Sequence, residues 1–218
     1  LAAGVTVSHP ERNETLKPMI ESLHKSQENG LLRGEHFVHL RCEITDPMVM
    51  ELFHQVIDHP LIRFMSVNEH TPGRRQYPNI DHYRKRYMKN YDLSDEEMDK
   101  FVDEIRKQTE KYGPRRRAEL VETGHAKGIP AASHDDRTIE EIEQAAEEGM
   151  VMVEFPTTIE AADAARERGL QILAGGPNLV RGGSHHPGNP LTGNLAKRHT
   201  LDILASDYVP FSLIQGIF

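Results

Sequence analysis

The stretch AASHDDRT, Ala131 to Thr138, ends the apolar run that begins GIPAA on a histidine and two aspartates. A strand covered on both faces needs continuous apolar character. Three groups that resist burial are an odd way to close one. A single such event is a polar loop. The same event at several strand ends is a site, so the rest of the chain decides the reading.

Apolar runs recur along the chain: GVTV (4–7), HFVHLRCEI (36–44), LIRFMSV (61–67), IPAAS (129–133), MVMVEF (150–155), QILAG (171–175) and DILAS (202–206). Amphipathic helices lie between them. Leu16, Met19, Ile20 and Leu23 follow helical spacing up to Gly30. In DPMVMELFHQVI, Asp46 is the expected N-cap and Pro47 the first helical residue, with Val49, Leu52, Phe53 and Val56 on one face. Thr138 with Glu141 and Thr157 with Glu160 read as capping boxes, closed by Gly149 and Gly169.

Strand and helix in alternation predict a parallel α/β sheet. Seven strands, most followed by one helix, point to a (β/α)8 barrel without its first unit, in one domain over 1–218. A doubly wound open sheet is the alternative. No internal repeat is visible. From about 78 to 127 two helical segments replace one, which reads as an insertion. Ser94 and Glu97 cap the first segment, and Gly113-Pro114 is the expected break. Most charges of HYRKRYMK and RRR in this insertion read as a solvated helix surface.

The opening pattern repeats. Glu43 ends HLRCE, His70 ends SVNEH, His134 follows AAS, Glu154 closes MVMVE, and Asp207 follows DILAS. In a barrel these ends converge on one face. Imidazole with carboxylate suits zinc, manganese or iron better than calcium. A divalent ion of that kind, one or two per site, would lower the pKa of a bound water. Each residue also has an ordinary explanation. Glu43 can pair with Arg41, Asp207 can start a turn, and His134 can bond a backbone carbonyl. Asp135 and Asp136 read as a helix cap and an orienting carboxylate.

A second feature is GGPNLVRGGSHHPGN, Gly175 to Asn189. Its glycines, Gly182 and Gly183 among them, allow backbone N–H groups close to an anion, with Asn178, Arg181 and His185 as further donors. HTPGRRQ supplies a basic turn at Arg74 and Arg75, where Arg75 reads as an incidental loop charge.

Composition limits the classes. At 218 residues, with 37% hydrophobic and 28% charged, the chain can bury a sizeable core. A net charge of −8 argues against general nucleic-acid binding but leaves room for a local basic site. No run reaches the roughly 18 apolar residues a membrane span needs. The single cysteine, Cys42, excludes a disulfide framework and suits a reducing, cytoplasmic setting. It lies inside an apolar strand, so it reads as a core residue rather than a nucleophile. There is no P-loop, dinucleotide fingerprint or nucleophile elbow. The start at LAAGVTV, without methionine, reads as an internal piece of a longer protein. An open edge strand would invite pairing with a second copy.

HLRCE, HTPGRRQ, SHDD, EFPTT, GGPNLVRGGSH and LASDYVP, in this order, resemble the alpha-D-ribose 1-methylphosphonate 5-triphosphate diphosphatases of the amidohydrolase superfamily. The resemblance runs from Leu1 to Phe218 and includes the 78–127 insertion. It implies a metal-dependent (β/α)8 barrel in the carbon–phosphorus lyase pathway. The reaction would convert a ribose 5-triphosphate to the monophosphate and pyrophosphate. Glu43, His134 and Asp207 match the superfamily's metal positions, with His70 and Glu154 as middle-strand candidates. Asp207 would be ligand and general base, while Arg181 and His185 would hold the polyphosphate. The superfamily's first-strand His-x-His pair is absent, and HHPGNPLTGN is longer than the family's run, leaving Asn189 and Asn194 both open. Two other functions compete: amide or cyclic-amide hydrolysis, and a catalytically silent fragment or binding subunit.

Overall fold

Each of the seven apolar runs gives a parallel strand among the described residues, and helices lie between them. The fold comes from a computed structural model that describes residues 2–5, 10–184, 186 and 188–217. Its contacts divide the chain into two compact units, 1–131 and 132–218.

The first unit contains β1 (Ala2–Val5), α1 (Pro10–Glu28), β2 (Val38–Glu43), α2 (Val49–Val56), β3 (Ile62–Asn68), α3 (Ile80–Tyr91) and α4 (Asp95–Ala126). The three strands are parallel, with β2 between β1 and β3. Val5 pairs with Cys42, and Glu43 with Asn68. Residues alternate between the faces of a strand, so one face of β2 and β3 carries Leu40, Cys42, Met65 and Val67, all fully or almost fully buried. Helix α4 lies against this face: a Cβ on Gly124 would stand 2.7 Å from the Met65 sulfur. The other face is partly polar. His39 Nε2 bonds Ser66 Oγ at 2.9 Å, and Ser66 Oγ donates to Asn68 Oδ1 at 3.0 Å. The expectation of continuous apolar strands is therefore corrected here. Ser66 and Asn68 are buried, and buried polar atoms of this kind require partners.

The second unit contains β4 (Ala131–His134), whose first residue belongs to the preceding unit, and α5 (Ile139–Glu147), β5 (Met152–Glu154), α6 (Ile159–Glu167) and β6 (Gln171–Gly175). It ends with α7 (Gly176–Arg181), α8 (Thr192–Lys197), β7 (Ile203–Ala205) and α9 (Ser212–Ile217). Its strands are parallel in chain order, β4 to β7, with His134 level with Glu154 and Leu173. The expected strand at 4–7 is observed as Ala2–Val5, and positions 6 and 7 lie outside the described residues.

Local signals were right in kind and sometimes displaced. Thr138 and Glu141 form the expected capping box on α5. On α6 the cap is Thr158, accepting from Ala161 N at 3.1 Å, because Thr157 is buried and donates its N–H to Asp136 O at 2.8 Å. Asp46 does not cap α2 directly. Its carboxylate accepts Met48 N–H at 2.8 Å in a turn that delays the helix to Val49. Gly30, Gly149 and Gly169 end their helices with φ of 67°, 71° and 74°, values glycine adopts without steric cost.

The largest correction concerns Gly113-Pro114. Helix α4 runs straight through it, and the Ser94–Glu97 capping box starts this helix. The chain breaks earlier, at Asp92, whose φ is 52°. Packing explains the outcome. The buried stripe Thr109, Gly113, Arg117, Leu120 and Gly124 continues at helical spacing past the proline. A Cβ on Gly113 would lie 3.1 Å from Thr109 and 3.6 Å from Ile44. Burial along the whole stripe outweighs the roughly 3 kcal/mol that one interior proline costs.

Candidate functional site

In the first unit the site begins where β2 stops. Glu43 is the last residue of β2, and His70 lies two residues beyond β3. The Glu43 carboxylate accepts the His70 Nδ1–H, the His70 backbone N–H at 3.2 Å, the Thr45 hydroxyl at 2.7 Å and Thr45 N–H at 3.3 Å. A histidine that donates from Nδ1 to a carboxylate carries its lone pair on Nε2, the form that binds a cation. Burial alone would raise the Glu43 carboxyl. Electrostatic attraction to the His70 ring, with hydrogen bonds from His70 and Thr45, outweighs it and holds the carboxyl below its ordinary value. His70 and Thr45, rather than Arg41 alone, thus supply partners for Glu43.

The loop after His70 is built rather than loose. Buried Glu69 accepts from Thr71 Oγ1 at 3.0 Å, from Arg74 at 3.4 Å and from Arg75 at 3.3 Å. Arg75 is only 4% exposed and has a φ of 46°, so it is a structural ion pair and not an incidental loop charge. Arg74 stays exposed while it reaches Glu69.

The second unit repeats the chemistry. His134 ends β4, and its Nδ1 bonds Glu154 Oε2, at the end of β5, at 2.9 Å. Its Nε2 lies 3.3 Å from Asp135 Oδ2. All three residues are buried. Asp135 and Phe155, directly after the two strands, have φ of 57° and 54°. Non-glycine residues in this region store strain, and such strain clusters at functional sites. The left-handed turn at Asp135 folds its carboxylate back toward the imidazole. Neither Asp135 nor Asp136 caps a helix, since Thr138 does so. Asp136 accepts from Ser133 Oγ, and its carbonyl takes the Thr157 N–H.

Asp207 lies in the turn after β7, exposed, with a φ of 48°. In strand order it stands three strands from His134, at the same C-terminal edge of the parallel strands. The glycine-rich segment is half helix: α7 fills Gly176–Arg181. A Cβ on Gly176 would meet Ser212 Oγ at 2.7 Å and Ala205 O at 3.2 Å, so this glycine serves close packing. Gly182, with φ 69°, terminates the helix beside open space, as Gly183 also has. Arg181 is exposed and donates to Gly183 O from Nε at 3.1 Å and Nη2 at 3.0 Å. Asn178 braces the loop by donating to Pro190 O at 3.1 Å and accepting Thr192 N–H at 3.0 Å. Asn194 falls inside α8, whereas Asn189 lies in the loop before it. His185 lies outside the described residues.

Sequence reasoning missed Asp135 as a partner of His134, and Thr45 and Tyr77 as neighbours of the Glu43–His70 pair. The available signal was the alternation His39-Arg41-Glu43 in β2, which puts a polar face where a plain core strand would be apolar.

No family model matches the chain. It is 38% identical over 218 residues to the alpha-D-ribose 1-methylphosphonate 5-triphosphate diphosphatase of Escherichia coli (strain K12). The similarity covers the whole of this chain, which spans 57% of the length of that relative.

Proposed function

We propose that the protein is a metal-dependent hydrolase that cleaves a ribose 1-phosphonate 5-triphosphate to the 5-monophosphate and pyrophosphate in phosphonate catabolism. The observation that carries this is the repeated carboxylate–imidazole pair. In each unit a glutamate at a strand end takes the Nδ1–H of a histidine, Glu43 for His70 and Glu154 for His134. A histidine serving only the core could bond any carbonyl. Two imidazoles whose Nδ1 is held by a buried carboxylate suit cation binding through Nε2. The similarity to the Escherichia coli diphosphatase supports the substrate class.

The donors fit zinc, manganese or iron, one or two ions, because imidazole and carboxylate favour such borderline cations. The proposed ligands are His70 in the first unit and His134, Asp135 and Asp207 in the second, with Glu43 and Glu154 as further ligands or as carboxylates that orient the imidazoles. A bound cation would supply positive charge to polarise the phosphoryl group and activate water. Asp207, exposed at the strand edge, would take the proton of the attacking water as general base. Water adds across the α–β anhydride, and pyrophosphate leaves. Arg181, the Gly182-Gly183 backbone, Asn178, Arg74 and His185 are the proposed polyphosphate contacts, donors aimed at charge that builds during the reaction.

The fold we propose for this activity is the (β/α)8 barrel with the helical insertion, supported by parallel β/α alternation within each unit. No described helix is long and apolar enough to cross a membrane. We propose a cytoplasmic enzyme acting on a small phosphorylated sugar, with a homo-oligomer as a compatible assembly. Phosphorus NMR of the protein incubated with a ribose 5-triphosphate and Mn or Zn tests the function directly. Equal amounts of monophosphate and pyrophosphate are expected. Turnover of cyclic amides with the triphosphate left intact would overturn the reading.

A further inference from the structure

The helical insertion sends a column of aromatic rings toward His70. Tyr83 and Tyr87 on α3 stack at 4.1 Å with an interplanar angle of 18°. Tyr77, in the loop before α3, meets Tyr83 edge-on at 5.1 Å and 88°. On its other side, Tyr77 meets the His70 ring at 6.0 Å and 62°. The two Tyr77 contacts have the separations and angles of favourable edge-to-face aromatic pairs. The three tyrosines belong to one buried cluster with Met98 and Val102 of α4, flanked by Phe101, Leu93 and Ile80. Tyr77 is 5% exposed, so its ring cannot swing into solvent without opening this cluster.

The backbone of the same loop is fixed from α4. Arg106 Nε donates to Pro72 O at 3.1 Å, and the Thr71 and Thr109 hydroxyls bond each other at 3.3 Å. Within the loop, Gly73 N–H donates to Tyr77 O at 2.9 Å, and Tyr77 N–H to Arg74 O at 2.8 Å. Glu43 constrains the Nδ1 corner of His70. The buried Tyr77 ring, a rigid neighbour, packs against the same imidazole.

We infer that Tyr77 is a positioning residue: backed by the α3–α4 tyrosine cluster, it holds the His70 ring so that Nε2 stays aimed at a bound cation. This inference rests on the proposed role of His70 as a metal ligand. It gives the insertion a task, since the two helices fix the tyrosines that fix the imidazole. Partners that orient a metal-binding histidine typically alter affinity by about 10-fold to 100-fold when removed.

The test uses Tyr77→Phe, Tyr77→Leu and Tyr77→Ala. Ring-nitrogen NMR of His70 in the metal-free protein is read alongside Co(II) titration followed by its visible bands. Tyr77→Phe keeps the ring and is expected to match the parent in both. Tyr77→Leu fills the space without an aromatic edge, so it reports on orientation even where Tyr77→Ala fails to fold. It is expected to average the His70 nitrogen signals between tautomers and to weaken Co(II) binding about tenfold. Parent-like nitrogen signals and Co(II) affinity in folded Tyr77→Leu would overturn the inference. A parent protein that binds no Co(II) would instead overturn the metal reading of His70, and the NMR arm would still decide whether Tyr77 orients the ring.

Discussion

Replacing Glu43 tests the candidate site of the first unit most sharply, because one carboxylate serves four donors. Glu43→Ala leaves the His70 imidazole, the Thr45 hydroxyl and two backbone N–H groups without their acceptor in a buried place. Each buried polar group stranded in this way costs about 1–3 kcal/mol, and relief of the carboxylate's own burial returns part of the sum. A net loss of about 3–5 kcal/mol is expected, the range for removing one partner of a buried pair. Glu43→Gln keeps the shape and one acceptor oxygen, so about 1–2 kcal/mol is expected. The loss should depend on pH. Glu43 is held below its ordinary value of 4.5, so its contribution is fully present above that value. It fades as the pH falls through the lower folded value. Urea denaturation of parent and Glu43→Gln at neutral and acid pH measures this, and the gap between them should narrow in acid. A cost below about 1 kcal/mol for Glu43→Ala, or a gap that does not change with pH, would refute the reasoning.

Three further outcomes are expected. Pro114 is exposed within a continuous helix. Pro114→Ala should therefore raise stability by up to about 3 kcal/mol in urea melts, whereas a helix broken there would gain little. Gly176→Ala should destabilise by about 1–3 kcal/mol in thermal melts, because the new methyl would meet the Ala205 carbonyl at 3.2 Å, a backbone atom that cannot turn aside. Cys42 is fully buried, and burial, then the neighbouring Glu43 charge, pushes its thiol far up. Ellman's reagent should find no reactive thiol until denaturant is added, and rapid labelling of the native protein would contradict that burial.

The strands were legible because apolar runs bounded by glycine, proline and polar residues leave few alternatives, and QILAG was located at its observed bounds, Gln171–Gly175. The capping chemistry was legible at Thr138 for the same local reason. What failed was long-range. Gly113-Pro114 is a break signal by propensity, yet the packed stripe on α4 overrides it. Thr157 looked like a cap until the Asp136 carbonyl claimed its N–H. The ligand candidates at His70 and His134 could be found from their positions at strand ends. Their carboxylate partners could not be assigned, since Glu43–His70 and His134–Glu154 are 27 and 20 residues apart and meet only through strand pairing. Asp135 was read as a cap because its left-handed backbone, which turns it toward His134, leaves no mark in the sequence.

The central claim is that these imidazoles bind a divalent cation through Nε2. X-ray absorption spectroscopy of the zinc-loaded protein tests it most directly, comparing the parent with His134→Ala and His70→Ala. Nitrogen and oxygen neighbours near 2.0–2.1 Å, with imidazole scattering that weakens in each variant, are predicted. An all-oxygen shell, or a spectrum unchanged by both substitutions, would contradict it.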